Sequence, residues 1–226
     1  MEALLNVLRS GYFYTIIIIT LVLALAAILI GKKVKKLKIN DKPSKFMTLI
    51  IVFIDFLNNY TKKSVGSYYK VIAPHILTMG ILIFFFNISG LFALPVPTSY
   101  VVVTFSFAMY AFLLIQYSGI RNRKFRHFSN YLGAVKFMAP ITLPINILSD
   151  LTPLISMTLR LFGNIVASVI LTGLIYAMAG WVAFLFTPPV HLIFDLGFGL
   201  IQTIVFVVLT MIFVSNKIDV NEIIIN

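Results

Sequence analysis

Residues 152–170 read TPLISMTLRLFGNIVASVI and set one arginine, Arg160, in the middle of a long apolar segment. A cation at bilayer depth costs at least about 2.5 to 3.5 kcal/mol on insertion scales, so an ionisable residue there marks a functional site by default. Asn164 follows one helical turn later, about 6 Å along the axis and on the same face. Between Phe137 and Asn216 the remaining formal charges are Asp150 and Asp195. The stretch therefore reads as part of a lipid-solvated bundle with a sparse polar interior, and the fold class is an all-α polytopic membrane protein.

The composition points the same way. Of 226 residues, 60% are hydrophobic and 11% charged, against about 25% charged in ordinary soluble domains. At about 20 apolar residues per crossing, the chain has room for about five transmembrane helices plus an interfacial one, and for no sizeable soluble domain. The net charge of +11 would suit nucleic acid, but the lysines and arginines lie almost entirely in two short segments between apolar runs. That clustering is the mark of cytoplasmic loops, so the expected partner is the lipid bilayer and not nucleic acid. Cysteine is absent, which excludes disulfides, thiolate metal sites and cysteine nucleophiles. No cofactor or metal is expected. The first apolar run is too long for a removable signal, and without a small-residue cleavage site, so it reads as a retained span.

Residues 12–30 form that first span. Lys32, Lys33, Lys35, Lys36 and Lys38 follow at once and hold this end in the cytoplasm, which sets the N-terminus outside. After Pro43, residues 46–58 are apolar but too short to cross comfortably, and the expectation is an interfacial helix ending near Asn58, Asn59, Lys62 and Lys63. Further spans are expected over 71–94, with Asn87 inside it, and over 101–117, joined outside through Pro95 and Pro97. Arg121, Arg123, Lys124 and Arg126 mark the cytoplasmic face again, with His75 and His127 expected near it and solvated. From 140 to 179 the chain stays apolar for about twice the length of a perpendicular helix, which leaves two alternatives open: a break near Pro144 or Pro153, or one steeply tilted helix. A turn at Gly180 and Trp181 leads into residues 182–215, with a kink or late start at Pro188 and Pro189 and a cytoplasmic tail beyond Lys217. The whole is a single membrane domain without evident repeats.

If the last two segments form an antiparallel hairpin turning near Gly180, residues whose numbers add to about 361 face each other. Gln202 then lies opposite Arg160, and Asp195 opposite Val166, within a turn of Asn164. His191 precedes Asp195 by one turn on the same face. Arg160, Asn164, Asp195, His191 and Gln202 are thus expected to line one polar seam. Asn87 is expected to line water or to satisfy a neighbouring backbone group.

LRLFGN at 159–164, with IFDLGFGLIQTIVFVVLT at 193–210, resembles the subunit a family of bacterial F-type ATP synthases, the membrane stator half of their proton channel. KVIAPHILT at 70–78, FFNISGL at 85–91 and PTSYVVVTFSFA at 97–108 extend the resemblance, which runs from about Phe46 to the C-terminus. It implies a long tilted hairpin curving against a rotating ring of c subunits, each with one carboxylate at mid-membrane, and two aqueous half-channels reaching that ring from opposite sides. It also implies b subunits or a peripheral stalk as further partners, ATP chemistry on other subunits, and the plasma membrane of a bacterium. The family's essential arginine maps onto Arg160, its companion asparagine onto Asn164 and its last-helix glutamine onto Gln202. The sequence departs from the family pattern at Val169, where many members carry glutamate or histidine, and at Asp195, often histidine, glutamate or serine. Asp195 with His191 is therefore the expected pair for the outer half-channel, and Asp150 is expected on the inner side.

The alternatives are a membrane-embedded lipid-modifying enzyme and a secondary ion transporter. The first needs carboxylates and histidines clustered at an interface, whereas these acids are scattered. The second predicts internal repeats and paired broken helices, which the sequence lacks.

Overall fold

The computed structural model describes residues 11–36, 44–92, 94–123 and 139–218, and every regular element among them is helical. Lys38, Pro43, Lys124, Arg126, His127 and both chain ends, from the expected loops and tails, lie outside the described residues. In chain order the helices are α1 (Gly11–Lys36), α2 (Lys45–Val65), α3 (Tyr69–Ile88, running into a tight turn at Ser89–Phe92), α4 (Val101–Arg123), α5 (Ala139–Ala179), α6 (Ala183–His191) and α7 (Gly199–Lys217). A π-helical segment, Leu192–Phe198, joins α6 to α7 without interruption. Five stretches are long and apolar enough to cross a membrane: Gly11–Lys36, Tyr69–Phe92, Val101–Asn122, Pro144–Met178 and Pro189–Lys217.

Helix α2 starts where Ser44 caps it, its hydroxyl accepting from the Met47 N–H at 3.4 Å. It continues past Asn58 and Asn59 through Lys62 and Lys63, because Thr61 and Val65 extend its buried face. Its far end docks on α7, where the Thr61 hydroxyl meets Met211 Sδ at 3.4 Å and the Ser215 hydroxyl donates to the Ser64 carbonyl at 2.6 Å.

Helix α5 is one unbroken element of 41 residues, about 60 Å at 1.5 Å per residue, against a hydrocarbon core of about 30 Å. It therefore crosses at a steep tilt. Pro144 and Pro153 lie inside it without ending it. A proline at 153 leaves the Ser149 carbonyl without its intrahelical donor, and Ser149, Asp150 and Pro153 all line a polar cavity of about 290 Å³. The last helix begins at Ala183, ahead of Pro188 and Pro189.

Two apolar clusters hold the bundle. Val65, Ile72, Ile76, Leu114, Ile115, Met211, Val214 and Ile218 join α2, α3, α4 and the end of α7. Met79, Ile83, Ala108, Ala111, Leu154, Met157, Leu161 and Phe206 join α3, α4, α5 and α7. Helix α4 packs against both α5 and α7, and α3 against α7. Helix α1 touches the rest mainly at its start, where Tyr12 lies on Tyr100 with ring centroids 3.9 Å apart, and beyond Thr15 its side chains are mostly exposed. One face of α5 is likewise uncovered, while Leu154, Met157, Leu161, Ile165, Ser168 and Thr172 turn inward.

Candidate functional site

Arg160 lies on the uncovered face of α5, in an open groove of about 650 Å³ shared with Thr152, Ile155, Ser156 and Leu159. Among the described residues no side chain bonds to its guanidinium, and Asp195 does not pair with it. Gly163 and Ala167, exposed on the same face, leave room for another helix to come close.

Asn164 is exposed one turn beyond Arg160, and its Nδ2 donates to Gln202 Oε1 at 2.8 Å. Gln202 is buried at the α5 side of α7. The bond differs from the expected register, which set Gln202 opposite Arg160. The cause is the π-helical segment. Its i to i+5 winding puts more residues into each turn, so the last helix advances less per residue and Gln202 stays nearer the hairpin turn.

Asp195 sits in that π-helical segment, buried, with Oδ2 2.8 Å from His191 Nδ1. His191 Nε2 in turn lies 3.1 Å from the Tyr176 hydroxyl of α5. The expected pair is thus a chain of three groups. The carboxylate is housed by a glycine: a Cβ on Gly90 would fall 2.9 Å from Asp195 Oδ2 and 3.1 Å from Val96 Cγ2. Asn87, one turn before Gly90 on α3, is buried, and its Oδ1 accepts from the Thr98 hydroxyl at 2.7 Å. Its Nδ2 meets no acceptor among the described residues.

Asp150 stands apart from this group. Both of its oxygens lie 2.7 Å from Lys217 Nζ, and Gln116 Nε2 donates to Oδ2 at 3.0 Å. The five residues expected on one seam therefore divide. Arg160 is open, Asn164 and Gln202 form a bridge, and His191 and Asp195 form a separate cluster with Tyr176. His75, expected to be solvated, is exposed and also bonds through Nδ1 to the Tyr110 hydroxyl at 2.6 Å.

Sequence reasoning missed Tyr176, Thr98, Gln116 and Lys217 as partners. Gln116 carried a legible signal, an amide inside the end of an apolar span. Tyr176 did not, since the α-helical register pairs position 176 away from His191. Among the described residues no three histidine or acidic side chains come together to hold a metal ion.

The chain matches the family model for the ATP synthase A chain over residues 12–215. It is 31% identical over 177 residues to the ATP synthase subunit a of a Sulfurihydrogenibium species, covering 78% of this chain and 84% of that one. To the ATP synthase subunit a of Campylobacter jejuni subsp. doylei it is 28% identical over 209 residues, covering 91% and 88%. For that of Campylobacter concisus the figures are 27% over 199 residues, covering 86% of each. A match that runs from the first membrane helix nearly to the end of the last makes this chain a member of the ATP synthase A chain family.

Proposed function

We propose that this chain, a multi-pass subunit of the F-type ATP synthase membrane sector, forms two half-channels that carry protons to and from a ring of c subunits. Arg160 carries the reading. It is a permanent cation in the middle of an apolar helix, on a face that the described residues leave uncovered, with no partner among them. Leaving such a charge in lipid is costly, so the face fits an anionic partner inside the membrane. A carboxylate on each c subunit meets that need.

A guanidinium holds its proton under all physiological conditions, yet attracts a carboxylate strongly in a low-dielectric site. Arg160 keeps the passing ring carboxylate ionised and blocks direct transfer between the half-channels. A proton must therefore ride the ring, and each charge moved across 100 mV supplies about 2.3 kcal/mol to the rotation. Asp195 and His191, together with the buried Asn87, serve the outer half-channel. The cavity around Asp150 serves the inner one, and Asn164 with Gln202 holds the two long helices together beside the crossing.

The lysines at the end of α1 and the two arginines at the end of α4 favour the cytoplasm for those ends, and so an external N-terminus, a cytoplasmic C-terminus and a bacterial plasma membrane. The ring, the b subunits and the rest of the synthase are the partners. The chain performs no covalent chemistry, and ATP is made and hydrolysed on other subunits.

The test is ATP-driven proton pumping and passive proton leak in vesicles carrying the whole complex with Arg160→Ala. Pumping lost while passive conduction is kept or raised is the expected result. An assembled variant that pumps at the normal rate would overturn the reading.

A further inference from the structure

We infer that Tyr176 is the positioning residue of the outer proton path: its hydroxyl binds Nε2 and holds the His191 ring where Nδ1 meets Asp195. The inference rests on the reading of the His191 and Asp195 cluster given above, and adds to it a residue on the opposite helix of the hairpin.

The geometry is a line of three groups of falling exposure. Tyr176 is 39% exposed and Asp195 8%, with the His191 side chain at 32% between them. An ionised carboxylate only accepts, so the hydrogen in the 2.8 Å contact belongs to His191 Nδ1. In the neutral ring Nε2 then carries the lone pair and must accept. The Tyr176 hydroxyl, 3.1 Å away, is the donor that fits it. Removing that donor strands Nε2 and unties one side of the ring. The carboxylate still favours Nδ1–H, but the ring turns away more often, and the bond to Asp195 is made less of the time.

The same contact tolerates the charged state. A proton arriving from the aqueous side adds to Nε2 as the Tyr176 hydroxyl rotates from donor to acceptor. The product is an imidazolium whose Nδ1–H still faces Asp195. Passing the Nδ1 proton to Asp195 Oδ2 leaves a neutral ring and a neutral acid, with only N–H and O–H bonds made or broken. Tyr176 keeps its own proton throughout. The role depends on the hydroxyl, not on the ring that carries it.

The test uses the whole synthase in vesicles, with ATP hydrolysis measured to confirm assembly. Tyr176→Phe is expected to slow ATP-driven pumping by about threefold to tenfold, the population change that losing one ordinary hydrogen bond allows. The ¹⁵N spectrum of the His191 ring, isolated by subtracting the spectrum of a His191→Gln complex, should show a weakened Nδ1–H signature. Tyr176→Gln, which keeps a donor, should restore that signature and part of the pumping. A phenylalanine variant that pumps normally overturns the inference, as does one that pumps slowly with the ring spectrum unchanged. If instead His191→Gln itself pumps normally, it is the underlying assignment of the outer path that fails.

Discussion

Lys217 Nζ holds both carboxylate oxygens of Asp150 at 2.7 Å, tying the first half of α5 to the last residue of α7. The two side chains are 22% and 17% exposed. The cost of breaking the pair should therefore fall between the about 1 kcal/mol of an exposed pair and the about 3 to 5 kcal/mol of a buried one. Lys217→Met is predicted to lower the temperature at which the solubilised complex loses this chain. A double variant, Asp150→Asn with Lys217→Gln, should recover most of the loss, because two amides can bond each other and leave no uncompensated charge beside Gln116. Equal stability of Lys217→Met and the unaltered complex would show that the contact is no clamp.

The bridge from Asn164 to Gln202 makes a different prediction. Interhelical hydrogen bonds between side chains in membranes contribute about 0.6 kcal/mol, so Gln202→Leu should barely change stability. It frees Asn164 one turn from Arg160, however, and removes a tie between the two long helices of the hairpin. Pumping should then fall further than assembly does, and Asn164→Leu should act alike. Pumping and assembly falling in parallel would reduce the bridge to a structural one.

The contrast between these two pairs marks how far the sequence was legible. Apolar run length gave the five membrane helices, and the four-residue spacing put Arg160 and Asn164 on one face. Register across the hairpin was not legible, because nothing in LIFDLGF announces a π-helical segment, and that segment shifts each facing residue beyond it. Asp150 was read for its carboxylate and Lys217 as the end of a span. Their union needs α5 and α7 placed side by side, which no local pattern encodes. The same holds for Gly90, whose role depends on what approaches it.

Thr98 is the donor that satisfies Asn87 Oδ1, and both are fully buried where α3 turns toward α4. Thr98→Val keeps the shape and removes the hydroxyl, leaving the Asn87 amide without a protein partner among the described residues. An unmade hydrogen bond of this kind costs about 1 to 3 kcal/mol. Thr98→Ser, which keeps the donor, should cost less than Thr98→Val in a thermal assay of the complex. The reverse order would show that the methyl group, not the hydroxyl, matters here.

Gly90 offers the sharpest test of the outer path, since its missing side chain is the space that Asp195 occupies. A methyl there would lie 2.9 Å from Oδ2 of Asp195, closer than such atoms rest. Gly90→Ala must therefore move the carboxylate or the α3 turn, and overpacking of this size costs about 1 to 3 kcal/mol. The variant also crowds Val96 Cγ2 at 3.1 Å, so a loss of pumping alone would be ambiguous. Adding Val96→Ala removes that second contact and leaves the first. Pumping that stays low in Gly90→Ala with Val96→Ala would locate the damage at Asp195. Recovery to the normal rate would locate it at Val96, and the carboxylate's position would then be irrelevant to proton flow.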